Sequence, residues 1–282
     1  MKPGLSPSST LHHLSSGVSN PQLAVLNYHG IESRQDEYLW LEEEKPYVLS
    51  SKFFEEQMDR LATTGFSTLT LKELGDWLNG KDFDLAPAVL TFDDGHLSHY
   101  EHVLTRLKQK KLKGVFFIPV SFVGQREQMT WSHLKDLLAE GFEIGSHGLR
   151  HIPLTDLEGD QVREELKRSK EILEDRLGVT VISFSVPRGF YQPRIAKIAA
   201  EVGYHFVFTS QFDLNQRKQN PLYLKRLAVK SELSIEKFSQ MVKGELGAKR
   251  YSEQVKDMAR RFVAPSVYDS MVGLIRTMKV GT

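Results

Sequence analysis

From residue 23 onward, short apolar runs alternate with longer stretches of mixed polarity. The runs at 23–28, 67–69, 88–92, 115–118, 142–144, 181–184, 206–209 and 224–229 are strand candidates. Several, such as Val115-Phe116-Phe117-Ile118, are apolar without alternation, the pattern of a strand covered on both faces in a parallel sheet. Between the runs, apolar positions recur at helical spacing. Phe54, Met58 and Leu61 share one helical face, and Gly65 follows as a stop. Thr70 with Glu73 reads as a capping box opening a helix that Gly80 ends. Thr155 with Glu158 reads as a second box ahead of a long helix closed by Gly178. This succession predicts an α/β fold, a distorted parallel (β/α) barrel of about seven or eight strands. An open doubly wound sheet is the alternative, because the pattern does not decide closure. Past residue 229 the strand pattern stops. Ser234 and Ser266 as caps predict a helical C-terminal extension over 234–282. Residues 1–20, rich in Ser and Pro, read as a flexible tail, which leaves 21–233 as the barrel.

Composition narrows the function classes. With 40% hydrophobic and 26% charged residues, the chain is an ordinary globular mixture. A formal net charge of +1 provides no field toward nucleic acid, so no nucleic-acid partner is expected. The absence of cysteine removes disulfides, a thiolate nucleophile and any sulfur-ligated zinc. A metal would have to be held by histidine and carboxylate. The first twenty residues lack the apolar core of a secretory signal, and no run approaches the ~20 apolar residues of a membrane span. No integral membrane segment and a cytoplasmic location are therefore expected.

Two segments carry chemistry. Thr91-Phe92-Asp93-Asp94-Gly95 leaves the strand candidate 88–92, placing two carboxylates at the strand end where parallel barrels keep their active sites. Adjacent residues leaving a strand point in different directions, so one carboxylate can bind a metal while the other faces substrate. The competing reading is a plain Asp-Asp-Gly turn. Ser146-His147-Gly148-Leu149-Arg150-His151 follows the candidate 142–144. Histidines four apart lie on one side of a helical turn, close enough to share an ion. Ten histidines in the chain make a chance pair the competing reading. Together the two segments supply two histidines and a carboxylate, the composition of a catalytic metal site with open positions.

The same segments resemble the motifs of the polysaccharide deacetylase family, the NodB-homology or carbohydrate esterase family 4 domain. Residues 91–95 match its TFDDG motif, residues 147–151 its H-x-x-x-H motif, and the strand 115–118 its ATFF segment. The resemblance runs from about residue 23 to 229. It implies a metal-dependent hydrolase that removes an acetyl group from the nitrogen of an amino sugar in a polysaccharide, oligosaccharide or glycan precursor. Asp93 would be the base acting on the attacking water, and Asp94, His147 and His151 would hold a divalent metal. Zinc is expected first, with cobalt, nickel or manganese as alternatives. The partner implied is a carbohydrate carrying an N-acetylated amino sugar.

Two departures stand out. The family's third motif, R-x-P-x-G, falls on Ser185-Val186-Pro187-Arg188-Gly189, so its arginine position is Ser185. The backbone N–H of Arg188 is expected to serve the oxyanion. The family's late acid histidine is missing from 224–229. Leu26-Asn27-Tyr28-His29-Gly30 instead resembles the opening segment of a permuted branch that includes poly-N-acetylglucosamine deacetylases. His29 is accordingly expected to be the acid. Tyr191 is expected to stack on sugar, and Arg226 to reach either Asp93 or the substrate. Alternative functions are hydrolysis of a formyl-sugar amide or a ring amide by the same fold, and carbohydrate binding without catalysis.

Overall fold

The computed structural model describes residues 21–248, 250–253 and 267. Eight strands curl into a distorted barrel: β1 (Gln22–Tyr28), β2 (Phe66–Thr68), β3 (Ala86–Phe92), β4 (Val115–Ile118), β5 (Glu143–Ser146), β6 (Ser183–Ser185), β7 (Phe206–Phe208) and β8 (Leu227–Ala228). All pair in parallel. β1 lies between β3 and β8, and the order then runs β3, β4, β5, β6, β7. β2 shares an edge of β3 with β4, pairing with Ala86–Ala88 while β4 takes Thr91 and Phe92. The ring meets itself between β7 and β8 through an isolated bridge, Phe208 to Leu224, which is the distortion. The expected strand 224–229 is correspondingly split. Leu224 pairs with β7, and only Leu227–Ala228 pairs with β1.

The pleat explains why the runs are apolar without alternation. Successive side chains point to opposite faces of a strand. In β1, Ala24, Leu26 and Tyr28 join one buried cluster, while Leu23 and Val25 join another. Phe116 and Ile118 belong to the first, Val115 and Phe117 to the second, and β7 divides likewise between Val207 and the pair Phe206 and Phe208. The first cluster packs against helices α1 (Ser51–Thr63), α4 (Trp131–Ala139), α5 (Gly159–Leu177), α6 (Pro193–Val202) and α7 (Ile235–Val242), and against α3 (Thr105–Lys110). The second fills the barrel interior and is covered by Leu71, Leu74, Trp77 and Leu78 of α2 (Leu71–Leu78).

The capping box at Thr70 forms as expected, with the Glu73 N–H donating to Thr70 Oγ1 and the Thr70 N–H donating back to Glu73 Oε2. The box expected at Thr155 does not form. Thr155 sits in a 3-10 turn, Leu154–Asp156, pinned by the buried Leu154. Helix α5 begins three residues later, with Glu158 as its cap and the Glu158 N–H bonded to Gln161 Oε1 at 3.0 Å. Ser234 caps α7 through its Oγ as expected. Residues 1–20 and Ser266, the basis for a flexible tail and a second cap, lie outside the described residues.

Candidate active site at the barrel mouth

Strand parity determines what faces inward at the C-terminal ends of the strands. Val89 belongs to the interior cluster, so Thr91 and Asp93 continue the same face. Asn27 follows Leu23 and Val25 in the same way, and Ser183 and Ser185 flank Phe184, which faces the helices. Asn27, Thr91, Asp93 and Ser185 therefore form a buried polar layer above the apolar interior. Arg226 enters this layer beside β8. Its Nη1 and Nη2 donate to Asp93 Oδ1 and Oδ2, both at 2.8 Å. The same guanidinium donates to Ser185 Oγ (2.9 Å), Asn27 Oδ1 (3.1 Å) and, from Nε, the Thr209 carbonyl (3.0 Å). Ser185 Oγ donates in turn to Asp93 Oδ2 at 3.2 Å.

The fork resolves one expectation. Arg226 is 1% exposed, and of the two contacts considered the structure shows the one to Asp93, with the remaining donors taken up by Ser185, Asn27 and Thr209. Ser185, where the resemblance expects arginine, lies 2.9 Å from the Arg226 guanidinium. Burial alone would raise the Asp93 pKa; the charges of Arg226 and His147 and the fork's hydrogen bonds bring it down to about 2. Asp93 is a carboxylate at any ordinary pH.

Asp94 departs from the strand with φ +74°, followed by Gly95 at +65°. The Asp-Asp-Gly segment is thus both a turn and a device that aims its two carboxylates apart. Asp94 Oδ1 lies 3.3 Å from His147 Nε2 and 3.2 Å from His151 Nε2. His147 donates its Nδ1–H to the Ser185 carbonyl at 2.8 Å, which turns Nε2 toward Asp94. The two histidines do not share a helical turn. Residues 147–151 form a loop in which Gly148 has φ +82° and His151 +56°, and this reversal brings the two rings to 4.9 Å. Among the described residues, Asp94, His147 and His151 place one ligand atom each within 4.8 Å of one another. Asp94 Oδ1 is buried without a well-aligned hydrogen bond, although both Nε2 atoms face it. An anionic oxygen and two imidazole nitrogens converging this way fit a divalent cation. Burial opposes ionisation of Asp94, but His151 and His147 outweigh it and hold its pKa well below the usual range.

His29 ends β1 on the same rim. Burial lowers its pKa, opposed by the charges of Asp94 and Asp93, so the imidazole is neutral at pH 7 when no substrate is present. Its ring packs 5.1 Å from that of Tyr47, and its Nδ1 is buried without a partner. The His29 carbonyl accepts from His99 Nε2 at 2.5 Å. Arg188 is exposed in the turn Pro187–Gly189 with φ +56°. That turn abuts the histidine loop, since a Cβ on Gly148 would stand 3.4 Å from Pro187. The partly buried Tyr191 ring packs against that of Tyr223 at 4.9 Å, tilted by 45°.

Three contributors were missed by sequence reasoning. Tyr47 and Glu44 come from the segment Lys45–Tyr47 and its cap, which shows no periodic pattern; Glu44 has its pKa raised, first by burial and then by Asp94. Glu165 is buried on the inner face of α5 among Val162, Leu166 and Ser169. A charged residue at an inward position of an amphipathic helix was the available signal.

A family model described as polysaccharide deacetylase matches residues 81–207. YxkH of Bacillus subtilis (strain 168), described as a candidate polysaccharide deacetylase, is 28% identical over 214 residues, covering 76% of this chain and 73% of that protein. A peptidoglycan-N-acetylglucosamine deacetylase of Bacillus cereus is 30% identical over 122 residues, 43% of this chain and 55% of that protein. In three dimensions, the Streptococcus pyogenes deacetylase PplD, solved in complex with acetate, superposes with a TM-score of 0.71 at 22% identity, covering 79% of this chain and 99% of that one.

Proposed function

The chain belongs to the polysaccharide deacetylase family, and on that premise we propose that it hydrolyses the acetamide of N-acetylglucosamine-like units in a glycan through the residues at its barrel mouth. The observation that carries this reading is the pairing of a buried, ionised Asp93 in the Arg226 fork with the Asp94, His147 and His151 cluster beside it. A base that stays deprotonated and a cation site sharing one rim are what amide hydrolysis by water requires. Residues 21–233 are read as the catalytic unit. No helix among the described residues is long and apolar enough to cross a membrane.

Asp94, His147 and His151 would hold the divalent ion, zinc first, which supplies a Lewis acid for the amide carbonyl. Asp93 takes a proton from the attacking water; its carboxylate is held in place by two guanidinium donors and the Ser185 hydroxyl. His147 is kept in one tautomer by the Ser185 carbonyl. The Arg188 N–H stabilises the negative charge that develops on the carbonyl oxygen. His29, anchored through its own carbonyl by His99, protonates the departing amine. Tyr191 offers an aromatic face to the sugar.

The test is acetate release from chitin oligosaccharides and from peptidoglycan fragments by the zinc- or cobalt-loaded protein. Activity of the parent, lost in Asp93→Asn and Asp94→Ala, is expected. A metal-loaded parent that releases acetate from neither substrate would overturn the proposal.

A further inference from the structure

Residues 147–151 carry two of the three clustered ligand atoms, yet they belong to no helix or strand. His151 also adopts φ +56°, a backbone conformation that a non-glycine residue holds only when its surroundings impose it. The amides of the three intervening residues show what imposes it. The Gly148 N–H donates to Ser146 Oγ at 3.1 Å. The N–H groups of Leu149 and Arg150 both donate to Oε2 of Glu165, at 3.1 and 3.2 Å. Glu165 Oε1 receives Nε of Arg150. From the other side, the carbonyls of Gly148 and Leu149 accept from the N–H groups of Val120 and Ser121 at 3.1 and 2.9 Å.

The Glu165 side chain is 2% exposed, whereas its ionic partner Arg150 is 56% exposed. A buried carboxylate is tolerated only when its oxygens are saturated with donors. Two of those donors are backbone amides available only while the loop keeps this shape. We propose that Glu165 is a positioning residue for the metal site. From the inner face of α5 its carboxylate sets the loop so that His151 Nε2 faces Asp94 Oδ1, and it thereby sets affinity and coordination geometry. The exposed Arg150 balances its charge without fixing the loop. The inference rests on reading Asp94, His147 and His151 as a metal site.

Reach and charge can be separated. E165D keeps the charge but is one methylene too short to meet both amides, whereas E165Q loses the charge and keeps an amide oxygen that can accept from them. Cobalt(II) affinity, measured by competition with a chelator, and the visible cobalt absorption spectrum are the readouts, with melting of the metal-free proteins recorded beside them. E165D and E165A are expected to bind cobalt about 10–100-fold more weakly with altered spectra, the range typical of lost outer-shell partners. E165Q and R150A are expected to stay close to the parent. If E165A does not fold, the contrast between E165D and E165Q carries the test. Folded E165D with the parent's affinity and spectrum would overturn the role of Glu165, as would E165Q losing as much affinity as E165D. A parent that binds neither cobalt nor zinc would instead overturn the metal reading beneath it.

Discussion

Replacing Arg226 by methionine keeps most of the side chain's length and removes its charge and all its donors. The change strands Asp93, 2% exposed, as a buried carboxylate with only Ser185 and its histidine neighbours for support. It also takes the guanidinium donors from Asn27 Oδ1 and the Thr209 carbonyl. Breaking a buried pair by removing one partner costs about 3–5 kcal/mol. At about 2–4 °C per kcal/mol for a chain of this size, the melting temperature should fall by roughly 6–20 °C.

The pH dependence gives a second, independent readout. Asp93 drops from 3.8 to about 2 in the folded protein, a shift worth roughly 2–3 kcal/mol. Because the folded pKa is the lower one, this contribution is fully present above pH 4 and is lost as pH falls toward 2. In the Arg226→Met variant, burial is no longer offset by the fork, so the carboxyl titrates higher. The stability gap between parent and variant should therefore be widest near neutrality and narrow as pH falls through the variant's raised pKa toward 2. The acid limb of kcat/KM should move upward in pH. Adding Asp93→Asn removes the stranded charge and should return part of the lost stability without returning activity. Urea melts at pH 7 and pH 3, with a pH–rate profile, are sufficient. An Arg226→Met protein that melts with the parent and keeps its acid limb would refute the account.

Other outcomes follow from the same geometry. His29 must be protonated to act as an acid and burial lowers its pKa from the ordinary imidazole value, so the basic limb of kcat/KM should lie on the acid side of a free imidazole's; His29→Gln should lose the limb and about 10²–10⁴-fold in rate, and a variant retaining both removes His29 from the mechanism. Dialysis against a strong chelator should abolish acetate release, and zinc or cobalt should restore it to the parent but not to Asp94→Ala; activity that survives chelation with no metal in the sample argues against the site. A Cβ on Gly145 of β5 would stand 2.4 Å from the Phe117 ring and 2.5 Å from Ser183 Oγ, so Gly145→Ala should destabilise by about 1–3 kcal/mol, as overpacking does, which denaturant melts would detect.

Much of the fold was legible because burial on both faces leaves a plain trace. The run 115–118 coincides with β4, and β1 and β3 each extend the expected run by one or two residues. Where pairing is local and thin, the trace failed. The parallel pair of Ile31–Glu32 with Leu49–Ser50 has two residues on each side, and Asn215–Gln216 joins β1 antiparallel with a single buried residue. Helix boundaries depended on competition among caps. Thr155 carries the right side chain for a cap, but the buried Leu154 commits it to a preceding turn. The cluster of Asp94, His147 and His151 was legible by type and spacing, although the helical turn invoked for His147 and His151 is a loop with two positive φ values.

The arginine shows why motif spacing and site chemistry diverge. Reading along the chain assigns a function to a place in a motif, and at that place stands Ser185, so the site looks incomplete. The chemistry asks only that a guanidinium reach both oxygens of Asp93 from inside the barrel. In a closed ring of strands, every inward position at that level has nearly equal access to the centre, whichever strand carries it. Ser185 on β6 and Arg226 beside β8 are on different parts of the ring, 41 residues apart, yet their side chains touch at 2.9 Å. A serine at 185 leaves room for an arginine arriving from 226 and gives it an acceptor. The short side chain and the distant arginine are one arrangement. What the motif lost in sequence is present in space, and Asp93 stays ionised beside it.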